Sequence, residues 1–223
     1  MAPFGTIYSY PNNPRVAKSI AAGNINGLEV VTAPDFQMGK TNRTPEFLAK
    51  FPFGKVPSFE SSSGVKLFES DAITQFIAES GPASSQLLGS TPASRAEIRQ
   101  WICFADGEVI GPVIQLVKWR IKIAAYDEKT EVDNLARLER SLALLEKHLG
   151  GGRKWMVDGE KLSLADITVA SALQWGFAMV IDAEMRARYP ATVAWYERVV
   201  DSEGVKEAFG EKKFVEKREP YQG

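Results

Sequence analysis

Residues 54–70 read GKVPSFESSSGVKLFES. A Val-Pro pair opens an apolar run, a Ser/Gly turn follows, and a second apolar run ends in Glu69-Ser70. Two short apolar runs separated by Ser-Ser-Ser-Gly read as a β-hairpin. The DAITQFIAES that comes next repeats its apolar residues at helical spacing, so an acid and a hydroxyl fall where a helix begins. Upstream, GTIYSY (5–10) reads as a strand broken by Asn-Asn-Pro, RVAKSIAAGN (15–24) as a helix and the β-branched GLEVVTA (27–33) as a second strand. In TPEFLAKF (44–51), Thr44 suits the N-cap of a helix and Pro45 its first turn. The order β-α-β, connecting helix, β-β-α makes residues 1–80 a small α/β domain.

The composition changes after residue 80. GPASSQLLGSTPAS (81–94) is rich in Gly, Ser and Pro, so 81–91 reads as a linker. Thr91-Pro92 is a second cap-plus-proline start, and a helical pattern runs from it to about Ala125 with a kink expected at Pro112. Val132, Leu135, Leu138, Leu142, Leu145 and Leu149 recur every three or four residues, one face of a helix that Gly150–Gly152 ends. SLADITVASALQWGFAMVI (163–181) is nearly all apolar and reads as a central buried helix, with Ser163 and Asp166 a capping-box start. ATVAWYERVV follows Pro190 as a shorter amphipathic helix. Residues 92–215 thus read as all-helical. EKKFVEKREPYQG is charged and thinly apolar, so 216–223 are expected to leave the fold as a tail.

Bulk properties exclude several classes. The chain has 223 residues, 44% hydrophobic and 25% charged, the composition of a globular protein. A net charge of −1 gives a polyanion nothing to bind, so no nucleic-acid partner is expected. One Cys (Cys103) and one His (His148) make neither an internal disulfide nor a metal cluster. No basic-then-apolar leader opens the sequence, and no apolar run approaches the ~18 residues of a membrane span. A cytoplasmic, metal-free protein without a membrane partner is expected. MGKT (38–41) fails as a phosphate loop because Pro34 stands where the pattern needs Gly. Cys103 is expected to be buried packing, and His148 to face the dipole at a helix end.

KVPSF, FESDAI (68–73) and LSLADITVAS (162–171), at these separations, resemble the glutathione transferase superfamily over residues 4–210. The fold this implies is a thioredoxin-like α/β domain followed by an all-α helical bundle. TNRTPEFLAKFPFGKVPSFE, IRQWICFAD (98–106) and RARYPATVAWY (186–196) further resemble the transferase-like region of the gamma subunit of eukaryotic translation elongation factor 1B. That narrower likeness implies a scaffold that docks the nucleotide-exchange subunit and keeps a glutathione site, with a lysine-rich linker and another domain following. The alternative function is an active transferase that conjugates glutathione to electrophiles. The superfamily also implies a homodimer.

Glutathione offers two carboxylates, an amine, two peptide groups and a thiol, and the resemblance assigns residues to each. The bond before Pro57 is expected to be cis, with Val56 pairing its backbone to the cysteinyl residue. Lys55 is expected at the glycine carboxylate, with Asn42 adding a polar contact there. Ser70 and the helix start suit the γ-glutamyl carboxylate, and Glu69 the ammonium. At the sulfur end, Asn12 falls closest to the thiolate-stabilising position, with Tyr8, Ser9, Tyr10 and Asn13 as alternatives. No cysteine lies in IYSYPNNPR, which excludes cysteine-type thiol exchange.

Overall fold

The computed structural model describes residues 2–221. The α/β part runs β1 (Gly5–Tyr8), α1 (Pro14–Ile25), β2 (Val30–Thr32), α2 (Pro45–Lys50), β3 (Ser58–Ser61), β4 (Lys66–Phe68) and α3 (Ser70–Glu79). The strands form one sheet in the order β2-β1-β3-β4. β1 and β2 are parallel, whereas β3 lies antiparallel to both β1 and β4. The helical part runs α4 (Ser84–Leu88), α5 (Pro92–Phe104), α6 (Gly111–Arg120), α7 (Glu128–Leu149), α8 (Leu164–Met179), α9 (Ala183–Ala187), α10 (Pro190–Val200) and α11 (Lys206–Phe209). This is the expected two-part architecture.

Local chemistry starts these helices where the sequence places the caps. Thr44 accepts from the Phe47 amide at 3.2 Å, and Thr91 forms a capping box with Ser94. Ser163 and Asp166 form the capping box of α8. Asp166 is fully buried and takes further hydrogen bonds from the Met156 amide at 2.8 Å and the Trp195 indole at 2.9 Å, so one carboxylate joins three segments of the bundle.

At Pro112 the helix does not simply kink. Residues Ala105–Ile110 form a π-helical segment between α5 and α6. Proline has no amide hydrogen for the carbonyl four residues back, that of Glu108. Ser141 of α7 donates to that carbonyl instead, at 2.9 Å.

α1 is the joint of the molecule. Eight of its twelve residues are buried, including Lys18 and Ser19. On one side Ser19 shares a hydrogen bond of 2.7 Å with Thr74, Lys18 pairs with Asp71, and Asn26 just past its end bonds the Ile77 and Ala78 carbonyls, all on α3. On the other, Ser171 of α8 donates to the Pro14 carbonyl at 2.6 Å.

Several expectations are corrected. The supposed linker holds α4, whose Leu87 is fully buried against its neighbours. The helical pattern beyond Pro112 stops at Arg120 instead of Ala125. The apolar stripe of α7 packs from Leu135 onward, while Val132 is 59% exposed near the helix start. Cys103 is exposed, because Trp101, Ile102 and Ala105 take the core-facing positions around it. His148 makes a specific contact: its Nε2 lies 2.8 Å from the Met156 carbonyl oxygen and its ring packs on Trp101. The tail also turns back onto the bundle through Tyr221. Phe214 packs on Phe177, the Val215 amide bonds the Phe177 carbonyl, Arg186 pairs with Glu216, and Tyr221 stacks on Tyr126 at 3.9 Å. Its two aromatic residues, Phe214 and Tyr221, each meet aromatic neighbours on the bundle. Residues 222–223 of the expected tail lie outside the described residues.

Two stability predictions follow from these contacts. Replacing Asp166 with Ala strands buried donors and is expected to lower the unfolding free energy by about 3 kcal/mol in urea titration; a loss under about 1 kcal/mol contradicts the joint role. Lys18→Met leaves Asp71 without its partner and is expected to cost about 2–3 kcal/mol. The Lys18→Met/Asp71→Leu double variant is expected to regain at least about 1 kcal/mol of that loss, and strict additivity contradicts the coupling.

Candidate functional site

The sheet register gathers the site. Tyr8 pairs with Ser58, and Ser58 with Phe68, so the end of β1, the start of β3 and the end of β4 lie side by side. Parallel β2 ends at the same edge, where the Ala33 amide bonds the Ile7 carbonyl at 2.9 Å. With strands ~4.8 Å apart, the row from β1 to β4 spans ~10 Å. The loops carrying Asn12, Val56-Pro57 and Glu69-Ser70 all leave from this edge.

The β4–α3 junction has the polarity of an anion site. α1, α5, α7 and α8 begin with side-chain caps, and Glu146 bonds the first free amides of α10. α3, ten residues long, has no side-chain cap. Glu69 just before it adopts φ 71°, a left-handed conformation that costs a non-glycine residue ~1 kcal/mol, and its side chain is exposed. Ser70 is buried, yet no described group bonds its hydroxyl. The Asp71 carboxylate does not fill the helix start either, since it turns to Lys18. Burial pushes the Lys18 ammonium below its usual pKa while Asp71 pulls it back.

In the adjoining loop the Val56-Pro57 bond is cis. Lys55 is exposed, with its ammonium 4.5 Å from the Phe53 ring centre. Asn42 takes a different part from the expected direct contact. It is 1% exposed, and its amide is closed between the Gly39 amide and the Gly54 carbonyl, both at 2.7 Å. It therefore ties down the loop that carries Lys55 and Val56.

Of the five candidates at the sulfur end, Ser9, Tyr10, Asn12 and Asn13 line one cleft and Tyr8 lies apart from it. Tyr8 donates to Glu60 at 3.2 Å and packs on Phe47 and Phe51. Ser9 is buried and accepts from Asn13 at 3.0 Å, while Asn13 caps α1 through the Arg15 amide. Tyr10 and Asn12 line a cleft of about 360 Å³ with Ala33, Phe36, Gln174 and Phe209. Asn12 is exposed at φ 58°, directly before α1. Arg15 reaches across to Asp106 at 3.0 Å, joining the two halves beside the cleft.

Three neighbours of the site escape the sequence reading. Lys18 was signalled only as a lone charge on the apolar face of RVAKSIAAGN. Gln174 stands as a polar residue inside the apolar run of α8, and it donates to the Phe209 carbonyl at 3.0 Å. Phe209 carries no local signal, because α11 is brought to the cleft by tertiary packing.

Comparison with known proteins bears on the family and the fold. Residues 3–79 match the glutathione S-transferase N-terminal domain and residues 108–203 the C-terminal domain. The chain is 55% identical over 210 residues to the glutathione S-transferase-like protein LUC7 of Fusarium sp, covering 94% of each. It is 50% identical over 218 residues to the glutathione S-transferase-like protein FUS3 of Gibberella moniliformis, covering 98% of each. Elongation factor 1-gamma of Mus musculus is 37% identical over 96% of this chain, which spans 48% of that longer protein. The GST-like domain of elongation factor 1-gamma from Saccharomyces cerevisiae superposes with a TM-score of 0.83 at 26% identity, covering 99% of this chain and 100% of that one. The glutathione transferase URE2P6 from Phanerochaete chrysosporium, in complex with oxidized glutathione, shares the fold with a TM-score of 0.83 at 17% identity, covering 93% and 96%. The likeness to the elongation factor subunit is thus present but distant, and transferase-like proteins of matching length reach 50% identity and above. By sequence and by fold, the chain belongs to the glutathione S-transferase family.

Proposed function

We propose that the chain binds glutathione along the strand-end edge and conjugates it to an electrophile. The observation that carries this reading is the uncapped start of α3 with the unpartnered Ser70 hydroxyl. An extended tripeptide is ~10 Å long, which matches the row from β1 to β4. Its γ-glutamyl carboxylate meets the Ser70 hydroxyl and the first amides of α3, and Glu69 takes the ammonium. Val56 pairs with the cysteinyl backbone, Lys55 answers the glycine carboxylate, and Asn42 fixes the loop that presents both.

This direction lays the thiol toward Asn12 and the start of α1. A helix N-terminus lowers a thiol pKa, and the Asn12 amide donates to the thiolate. The thiolate then forms the C–S bond to an electrophilic carbon. The displaced electron pair leaves with a leaving group or enters a conjugated carbonyl, and the thiol proton passes to water. Asn12 is the proposed catalytic residue; Ser9, Tyr10 and Asn13 line the same cleft, with Ser9 and Asn13 bonded to each other.

The likeness to elongation factor 1-gamma supports a second reading, a scaffold for a nucleotide-exchange subunit. For either role a homodimer is proposed. The outer faces of α3 and α5 enclose a groove of about 930 Å³ lined by Gln75, Glu79, Arg95 and Arg99, and Phe68, next to Glu69 in that lining, is 50% exposed. A cytoplasmic location is also proposed; no helix among the described residues is long and apolar enough to cross a membrane. Among those residues, no group of three His, Cys, Asp or Glu is placed to hold a metal ion.

Calorimetric titration with glutathione tests the reading. Wild-type protein is expected to bind, and Ser70→Ala to weaken binding about tenfold, the loss of one hydrogen bond to a charged group. Binding that is unchanged in Ser70→Ala contradicts the assignment of this edge. Asn12→Ala is expected to lower kcat for conjugation of an aryl halide by about tenfold while leaving glutathione affinity within about twofold; an unaltered kcat removes Asn12 from the chemistry.

A further inference from the structure

The start of α3 carries two acids where a carboxylate is proposed to bind. Glu69 stands just before the helix, Asp71 is its second residue, and both line the groove along α3. An acid in the first turn of a helix is drawn to the open amides there and to the positive end of the dipole. Left free, Asp71 competes with an incoming anion for those amides and repels it.

Lys18 removes Asp71 from that competition. It reaches over from α1 with its side chain only 4% exposed and pairs with the Asp71 carboxylate, whose side chain is 22% exposed. Salt screens a pair so shielded much less than a surface one. One turn earlier, Arg15 pairs with Asp106 at 3.0 Å, so each of these two cations of α1 answers one acid. The neighbouring contact is neutral. Ser19 shares a hydrogen bond of 2.7 Å with Thr74, and the Thr74 hydroxyl donates to the Ser70 carbonyl at 2.7 Å. That chain fixes where Ser70 sits, whereas Lys18 fixes the charge beside it. Glu69 is exposed and remains to answer an ammonium.

We propose that Lys18 is the positioning residue that makes this helix start a receptor for a zwitterionic head group, a carboxylate and an ammonium on one carbon. It does so by holding Asp71 off the amides and cancelling its charge. Without Lys18, Glu69 and Asp71 both face the ligand and the place favours the ammonium alone. The inference rests on the position given to the γ-glutamyl end above.

The test compares glutathione with γ-aminobutyryl-cysteinylglycine by calorimetric titration. The analogue keeps the ammonium, the peptide groups, the thiol and the glycine carboxylate, and lacks only the γ-glutamyl carboxylate. Wild-type protein is expected to prefer glutathione by at least about tenfold, the worth of hydrogen bonds to a charged group. Lys18→Met is expected to bind glutathione about tenfold more weakly, through one uncompensated like charge, and the analogue within about twofold of wild type. Lys18→Met/Asp71→Leu, which removes both charges, is expected to bring glutathione affinity back to within about threefold. Lys18→Gln keeps a donor for Asp71 without the charge; it is expected to match Lys18→Met and stands in for it if that variant does not fold. An equal loss for both ligands makes Lys18 a structural support only and overturns the inference. Unchanged glutathione affinity, or a double variant as weak as the single, overturns it too. Wild-type protein that binds both ligands alike, or neither, fells the γ-glutamyl placement itself and this inference with it.

Discussion

The structure depends on α1 being buried on two sides at once. A helix that meets only a sheet keeps one polar face, but α1 must also meet α8, and the sequence supplies small residues for the purpose. Ala17, Ala21 and Ala22 let neighbouring elements approach, while Ser19 and Lys18 carry their partners with them. The bond from Ser171 to the Pro14 carbonyl pins the first turn of α1 to the bundle. Because Asn12 lies two residues before that pin, the geometry of the sulfur end is set by the joint between the two halves. Lys18 extends the same constraint to α3, so the two ends of the proposed ligand site are held by one helix.

The site then appears as the place where internal bonding was left undone. The long helices α1, α5, α7 and α8 close their starts with local side chains, and α10 does so with a distant glutamate. At α3 the cap residue is Glu69 in a left-handed conformation, the next hydroxyl is idle, and the nearest acid faces inward. Open amides at a helix start attract carboxylates through both hydrogen bonds and the helix dipole.

What could be read from the sequence was what short-range chemistry decides. Thr44-Pro45, Thr91-Pro92 and Ser163 with Asp166 act within four residues of themselves, and each starts its helix as expected. The hairpin of the opening stretch is equally local. The failures share a cause, dependence on a distant partner. Cys103 sits in apolar surroundings, but the helix face that packs inward is chosen by α8. The π segment before Pro112 is completed by Ser141 from another helix, and the tail by Trp119 of α6, Tyr126 of the loop after it, Phe177 of α8 and Tyr196 of α10. In the candidate site itself, the sequence offered Asn42 as a ligand contact, and only the fold shows that its amide is already engaged.

The central claim, that α1 and Asn12 stabilise a thiolate at the end of β1, is tested most directly by the ultraviolet absorbance of bound glutathione as a function of pH. A thiolate that appears at least one unit below the ~8.5 of a free thiol, and returns toward it in Asn12→Ala, is the result predicted. Bound glutathione titrating at the free value in the wild-type protein contradicts it.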